Sequence, residues 1–282
     1  MKIKIFGLCA VLLFSCVLWL YQDKEAELVS IINQELANAP AATGHPLFDL
    51  LDATKITDSM YPWIGFPVIV ISEKQLFGGD DNSTVPPDEI KLKQKLLKYK
   101  YKKRIIFNIP SWQIDNDKAG SILTAKHVEW SVLLLTWAKE VLPETNIGMF
   151  GVPYSPWSAL KSTAHNMSEY LRIHQQLQSV IKASDTLYPL FQLPSLEHSD
   201  VFYLMGVHLY IAKTSGKPVY PVLSHKYFAL KQLGASPFIP ANILKLQCTF
   251  VRENADGMVW WAAEAEAWDR RWHDAVADVC FI

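Results

Sequence analysis

No GxGxxG motif follows a strand-like run in this chain of 282 residues, and no glycine-rich phosphate loop is present. Those absences remove dinucleotide and nucleotide binding. An excess of charge of one sign is also missing. Lys plus Arg number 27 and Asp plus Glu 28, for a net charge of −1, whereas nucleic-acid recognition calls for a basic domain. No CxxC or Cys/His spacing suggests zinc, so neither metal nor cofactor is expected. Cysteine is scarce. Cys9 and Cys16 lie near the N-terminus, which leaves Cys248 and Cys280 as the pair in the body. In an oxidising compartment that pair is a disulfide candidate, and two buried thiols is the competing reading. No internal repeat is visible.

What is present begins with an apolar leader. Lys2 and Lys4 precede the run Ile5–Tyr21, which ends at Asp23, Lys24 and Glu25. The run sits at the short end of the roughly 20 residues that span a bilayer. No small-x-small cleavage site closes it, because Trp19, Leu20 and Tyr21 are bulky. Residues 1–22 therefore read as a membrane anchor in preference to a cleaved signal peptide, with the body outside the cytosol. Residues 23–44 read as a helical stalk and linker. Leu28, Ile31, Ile32 and Leu36 form one stripe, and the stretch closes on Asn38–Gly44.

From 45 to 282 strand-like and helix-like runs alternate. Strands are expected at Leu47–Leu51, Pro67–Ser72, Ile105–Ile109, Asn146–Gly151, Thr186–Phe191, Pro218–Leu223 and Gly257–Trp261. Helices are expected at Pro87–Lys102, Ala119–Leu142, Asn166–Ala183, Asp200–Thr214, Ile239–Asn254 and Glu264–Ala277. Such alternation argues for parallel βαβ units. The fold class is thus α/β, a (β/α) TIM-like barrel of about seven strands, with an open doubly wound sheet as the competing architecture. The lysines of Pro87–Lys102 read as a solvated face. Aromatics are abundant, with 10 Trp, 11 Tyr and 13 Phe. They serve the core and, past strand ends, could serve as platforms for sugar rings.

Barrels place their chemistry at the carboxyl ends of the strands. Here the third strand runs out into Asn108, Pro110, Ser111 and Trp112. The pieces ending at Trp112, then NIGMFGVPYSPW (146–157), DTLYP (185–189), KPVYPVLS (217–224) and ADGMVWW (255–261) together resemble the hyaluronidase-like TIM-barrel glycoside hydrolases. That resemblance implies a barrel with seven well-formed strands and a carbohydrate partner. In the family this strand ends in Asp-x-Glu followed closely by Trp. The Glu is the general acid, and the Asp orients the substrate's acetamido group. Trp112 matches the Trp, but Asn108 stands at the Asp and Pro110 at the Glu. Asn108 cannot deprotonate and Pro110 has no proton to give, so the family's reaction cannot run from these positions.

Three readings follow: a degenerate, glycan-binding barrel, an active glycosidase using other acids, or an envelope scaffold. The binding or degenerate reading is favoured. Replacement acids are sought at Glu73, past the second strand, and at Glu264 and Glu266, past the last; Asp115 and Asp117 follow Trp112. Asn108, Trp112, Tyr154, Trp157, Gln192 and Trp261 are the candidate sugar contacts. Asp256 lies at the opposite end, where it would make a turn with Gly257. His208 reads as structural, and His127, His165 and His174 as surface residues. Two Asn-x-Ser/Thr sequons begin at Asn82 and Asn166.

Overall fold

In a computed structural model the chain separates into two units, Met1–Ala41 and Ala42–Ile282. The structure describes residues 49–53, 66–79, 84, 86–112, 122–153, 173–191, 193, 199–227, 238–261 and 274, all in the second unit.

The strands are β1 (Asp49–Ala53), β2 (Phe66–Pro67), β3 (Ile69–Ser72), β4 (Arg104–Asn108), β5 (Asn146–Met149), β6 (Val222–Leu223) and β7 (Gly257–Trp261). The helices are α1 (Glu73–Phe77), α2 (Glu89–Leu96), α3 (Ile122–Val141), α4 (Gln178–Ala183), α5 (Ser199–Lys213) and α6 (Ala241–Asn254). Asp88 caps α2 by accepting from the Lys91 amide at 3.0 Å, a contact that satisfies one orphan donor of the first turn. Gly78 ends α1 at φ 86°, in the left-handed region.

Every strand pair is parallel. One ladder runs β2-β1-β7-β6 and the other β3-β4-β5. The first strand pairs with the last over five residues, from Asp49↔Gly257 to Ala53↔Trp261. That pairing belongs to a TIM-like arrangement. The expected run of seven regular strands is corrected, however: Pro218–Leu223 keeps only Val222–Leu223 as strand, two further strands are broken up, and among the described residues no continuous ladder closes the barrel.

The expected strand Pro67–Ser72 is split at Val68. Its first half pairs with β1 and its second with β4. The expected strand Thr186–Phe191 is reduced to isolated bridges, parallel at Phe150↔Tyr188, Leu187↔Val219 and Leu190↔Val222 and antiparallel at Val152↔Tyr188. Proline explains both. Pro67, Pro189, Pro218 and Pro221 have no amide hydrogen to place in a ladder. Their carbonyls still accept: Leu187 N donates to Pro218 O at 2.9 Å, and Val222 N to Pro189 O at 2.8 Å. The wall therefore continues without being a regular strand.

Alternation along the strands builds two cores. Ile71, Ile105, Phe107, Ile147, Leu223, Met258 and Trp260 face outward and pack under the helices. Leu51, Val68, Ile106, Phe150, Tyr188, Tyr220, Val222 and Val259 face inward and fill the interior. In β4 the division is strict, with Ile105 and Phe107 in one cluster and Ile106 in the other, all fully buried. Each such side chain contributes about 1.5–3 kcal/mol by leaving water.

No helix among the described residues is long and apolar enough to cross a membrane, and the leader run Ile5–Tyr21 lies outside them. The terminal helix expected at Glu264–Ala277 lies almost wholly outside them too.

Candidate functional site

The carboxyl ends of β3 and β4 come together because the two strands are paired in register, Ser72 opposite Asn108. Both residues follow the inward positions of their strands, Val70 and Ile106, so both belong to the rim of the interior. Asn108 is half-buried. The chain then turns through a short 3-10 helix, Pro110–Trp112, closed by Trp112 N donating to Ile109 O at 3.1 Å. Pro110 is exposed at the start of that turn.

Glu73 is where the sequence put it, directly after β3, but it does not stand open. It is 3% exposed. Its Oε1 accepts from the Ser111 hydroxyl at 2.6 Å and its Oε2 from the Ser111 amide at 3.1 Å. The carboxylate thus ties the exit of β3 to the exit of β4. Beside it the Ser72 amide and hydroxyl donate to Gln75 Oε1 at 2.7 and 3.1 Å. Charge-assisted bonds of the Glu73 kind are about twice as strong as neutral ones, and each Glu73 oxygen takes one of them.

Trp112 is 3% exposed. Its ring lies 5.2 Å from Phe77 and 5.7 Å from Trp130, so in this structure it serves as core under the helices, not as an open sugar platform. Trp261 is different. It ends β7, stays half-buried and packs on the inner cluster, its ring 5.1 Å from Phe150 at 57°. Asn108 and Trp261 are therefore the candidate contacts found at the rim. Tyr154, Trp157, Gln192, Glu264, Glu266, Asp115, Asp117 and Cys280 lie outside the described residues. Cys248 is buried on α6.

The remaining sequence assignments divide. Asp256 does lie at the amino end of β7, where its Oδ2 accepts from Val219 N at 2.9 Å. His208 is buried on α5, and burial, with a smaller contribution from His174, pushes its pKa down to about 3. His127 was expected at the surface and is instead 5% exposed, its ring 5.6 Å from Trp130, because it shares the core-facing stripe of α3 with Trp130 and Leu134. His174 is half-buried, and burial lowers its pKa.

Sequence reasoning placed Ser111 at the strand exit without giving it a role, and it did not single out the pair Ser224-His225. A Ser and a His directly after the apolar run PVYPVL would have marked the latter as strand-exit residues. His225 proves to be a packing residue, 1% exposed between the rings of Phe238 at 5.9 Å and Trp260 at 6.3 Å. Among the described residues no three His, Cys, Asp or Glu side chains cluster as metal ligands would.

At the opposite end of the interior, Arg104 Nη2 donates to the Tyr220 hydroxyl at 3.3 Å, with the guanidinium 4.8 Å over the same ring. The Tyr188 hydroxyl reaches Asn146 Oδ1 at 3.5 Å. Burial holds the Tyr188 hydroxyl well above the usual tyrosine range, against the opposing pull of Arg104.

No protein-family model matches the chain, and no curated protein matches it by sequence. Solved structures do match. Bee venom hyaluronidase superposes with a TM-score of 0.61 at 12% identity, covering 82% of this chain and 95% of that one. The same enzyme in complex with a hyaluronic acid tetramer gives 0.58 at 13% identity, covering 76% and 90%. At such identities the likeness is one of fold alone, a TIM-like arrangement similar to that of the hyaluronidase.

Proposed function

We propose that this chain is an exported, membrane-tethered protein whose glycoside-hydrolase-like barrel binds carbohydrate without cleaving it. The observation that carries the reading is the exit of β4. There a half-buried Asn108 and an exposed Pro110 occupy the positions that, by resemblance, belong to an orienting Asp and an acid. Hydrolysis of a glycosidic bond needs a carboxylic acid near the leaving oxygen. Asn108 can donate to and accept from sugar hydroxyls, but it cannot hand over a proton. Carbohydrate as the ligand class is supported by the fold shared with an enzyme solved around a hyaluronic acid tetramer and by the half-buried Trp261 ring at the rim.

A second reading has one observation in its favour. Glu73 is a buried carboxyl group at the exit of the neighbouring strand, the residue type that glycoside hydrolysis uses as its acid. The test offers hyaluronan and a panel of glycans to the full chain, recording binding and release of reducing ends. Binding without release supports the proposal. Release that disappears in Glu73→Gln moves the function to the second reading. Neither binding nor release leaves the scaffold reading.

Export and tethering are supported by Lys2 and Lys4 ahead of the apolar run Ile5–Tyr21. A reporter fused after Ile282 that is active only in the cytosol would remove that part.

A further inference from the structure

The segment joining α2 to β4 presents lysines and apolar side chains to solvent together. Leu92 and Leu96 of α2 are buried against the core, as an amphipathic helix requires. Ile90 and Leu97, two helical turns apart on another stripe, are not. Ile90 is 70% exposed, Leu97 54% and Tyr101 90%. These three, with Leu246, are the large hydrophobic side chains found exposed among the described residues, so the apolar exposure is concentrated in this one segment. Around them Lys98, Lys100, Lys102 and Lys103 are exposed and make no salt bridge among the described residues. Lys91 and Lys93, by contrast, are paired with Asp88, Glu89 and Glu140.

The segment is held firmly. The Thr145 hydroxyl donates to Lys102 O at 2.8 Å and Asn146 N to Lys103 O at 2.9 Å. These bonds fix it beside the amino ends of β4 and β5, the end of the barrel opposite Asn108.

We infer that the segment Leu97–Lys103, together with Ile90, is a docking surface for an anionic lipid bilayer. The chemistry selects that partner. Lysines are flexible point charges, suited to diffuse headgroup charge more than to the bidentate recognition that arginine performs. Aliphatic side chains such as Ile90 and Leu97 have no partner on a sugar or a phosphate, but they gain by entering the headgroup–acyl boundary. A tyrosine suits the interface itself. Docked this way, the barrel sets its amino end on the membrane and turns the rim of Asn108 and Trp261 away from it, toward solvent. The inference stands on this surface alone and does not require the carbohydrate reading.

The test is hydrogen exchange of the full chain with vesicles of phosphatidylcholine alone and with a third of phosphatidylglycerol. Slowed exchange is expected across 97–103 only with the anionic vesicles, abolished by molar salt. Each Lys→Gln change among Lys98, Lys100, Lys102 and Lys103 should weaken the protection about fivefold. Leu97→Ser with Tyr101→Ser should weaken it further at an unchanged melting temperature. Equal exchange with both vesicle types overturns the proposal. So does protection of the same residues by a soluble anionic polysaccharide when the anionic vesicles give none.

Discussion

Strand β4 opens on Arg104 and closes on Asn108, and the two ends of the barrel interior are built on different terms. At the Arg104 end long side chains meet and satisfy one another. Tyr188 and Tyr220 are 0% and 5% exposed, their rings lie 6.2 Å apart, and their hydroxyls are taken by Asn146 and Arg104. At the Asn108 end the side chains are shorter or half-open: Ser72, Asn108, Pro110 and Trp261. Its one buried carboxylate among the described residues, Glu73, spends both oxygens on Ser111. The packed, paired tyrosines of the closed Arg104 end stabilise the wall. At the other end the half-buried Asn108 keeps, among the described residues, hydrogen-bonding capacity that a ligand could use.

Substitutions at four positions probe that contrast. Gly148→Ala should be the most damaging, because a Cβ there would stand 2.2 Å from the Thr186 carbonyl oxygen and 2.8 Å from a Tyr188 ring carbon. The wall would have to move to admit it, at a cost of about 3 kcal/mol or more, read by urea unfolding. A loss under about 1 kcal/mol would mean that the closed end yields as easily as the rim.

Glu73→Ala follows, with about 2 kcal/mol expected from two stranded donors on Ser111. Glu73→Gln, which can still accept at one oxygen, should cost less. An unchanged melting curve for the alanine variant would show that the exit of β4 is held by something other than this clamp.

Tyr220→Phe removes the acceptor of Arg104 but keeps the ring beneath its guanidinium, so about 1 kcal/mol is expected in chemical denaturation. A loss several times larger would show that the hydroxyl organises the whole closed end.

Pro110→Glu should be the mildest, within about 0.5 kcal/mol, because the side chain is exposed at a turn and water can satisfy the new amide. A severe loss in thermal melts would place position 110 in the packed wall and remove its comparison with the family's acid.

Much of the wall could be read locally. PVIVIS, IIFNI and GMVWW are short apolar runs between turn residues, and each became strand within a residue or two of the expected limits, the first of them broken at Val68. The prolines were equally visible, yet their effect on ladder continuity appeared only once neighbouring strands were in place. At the rim, Glu73 was legible as a strand-exit acid, and Asn108 and Pro110 as residues that cannot act as acids. That Glu73 is buried against Ser111 was not, since the bond joins residues 38 positions apart.

The sequence by itself determined which residues could be strand and which helix, because side-chain alternation and backbone propensity act between near neighbours. It also determined that Asn108 and Pro110 themselves carry no acidic proton, which is a property of Asn and Pro wherever they stand. Only the tertiary structure decided that Trp112 is core while Trp261 stays half-open. Both are tryptophans at or after the carboxyl end of a strand, and what separates them is the packing partner each meets: Phe77 and Trp130 under the helices for one, the rim beside Phe150 for the other. Such partners come from distant parts of the chain, and burial, the term that sets a side chain's role, is fixed only when they arrive.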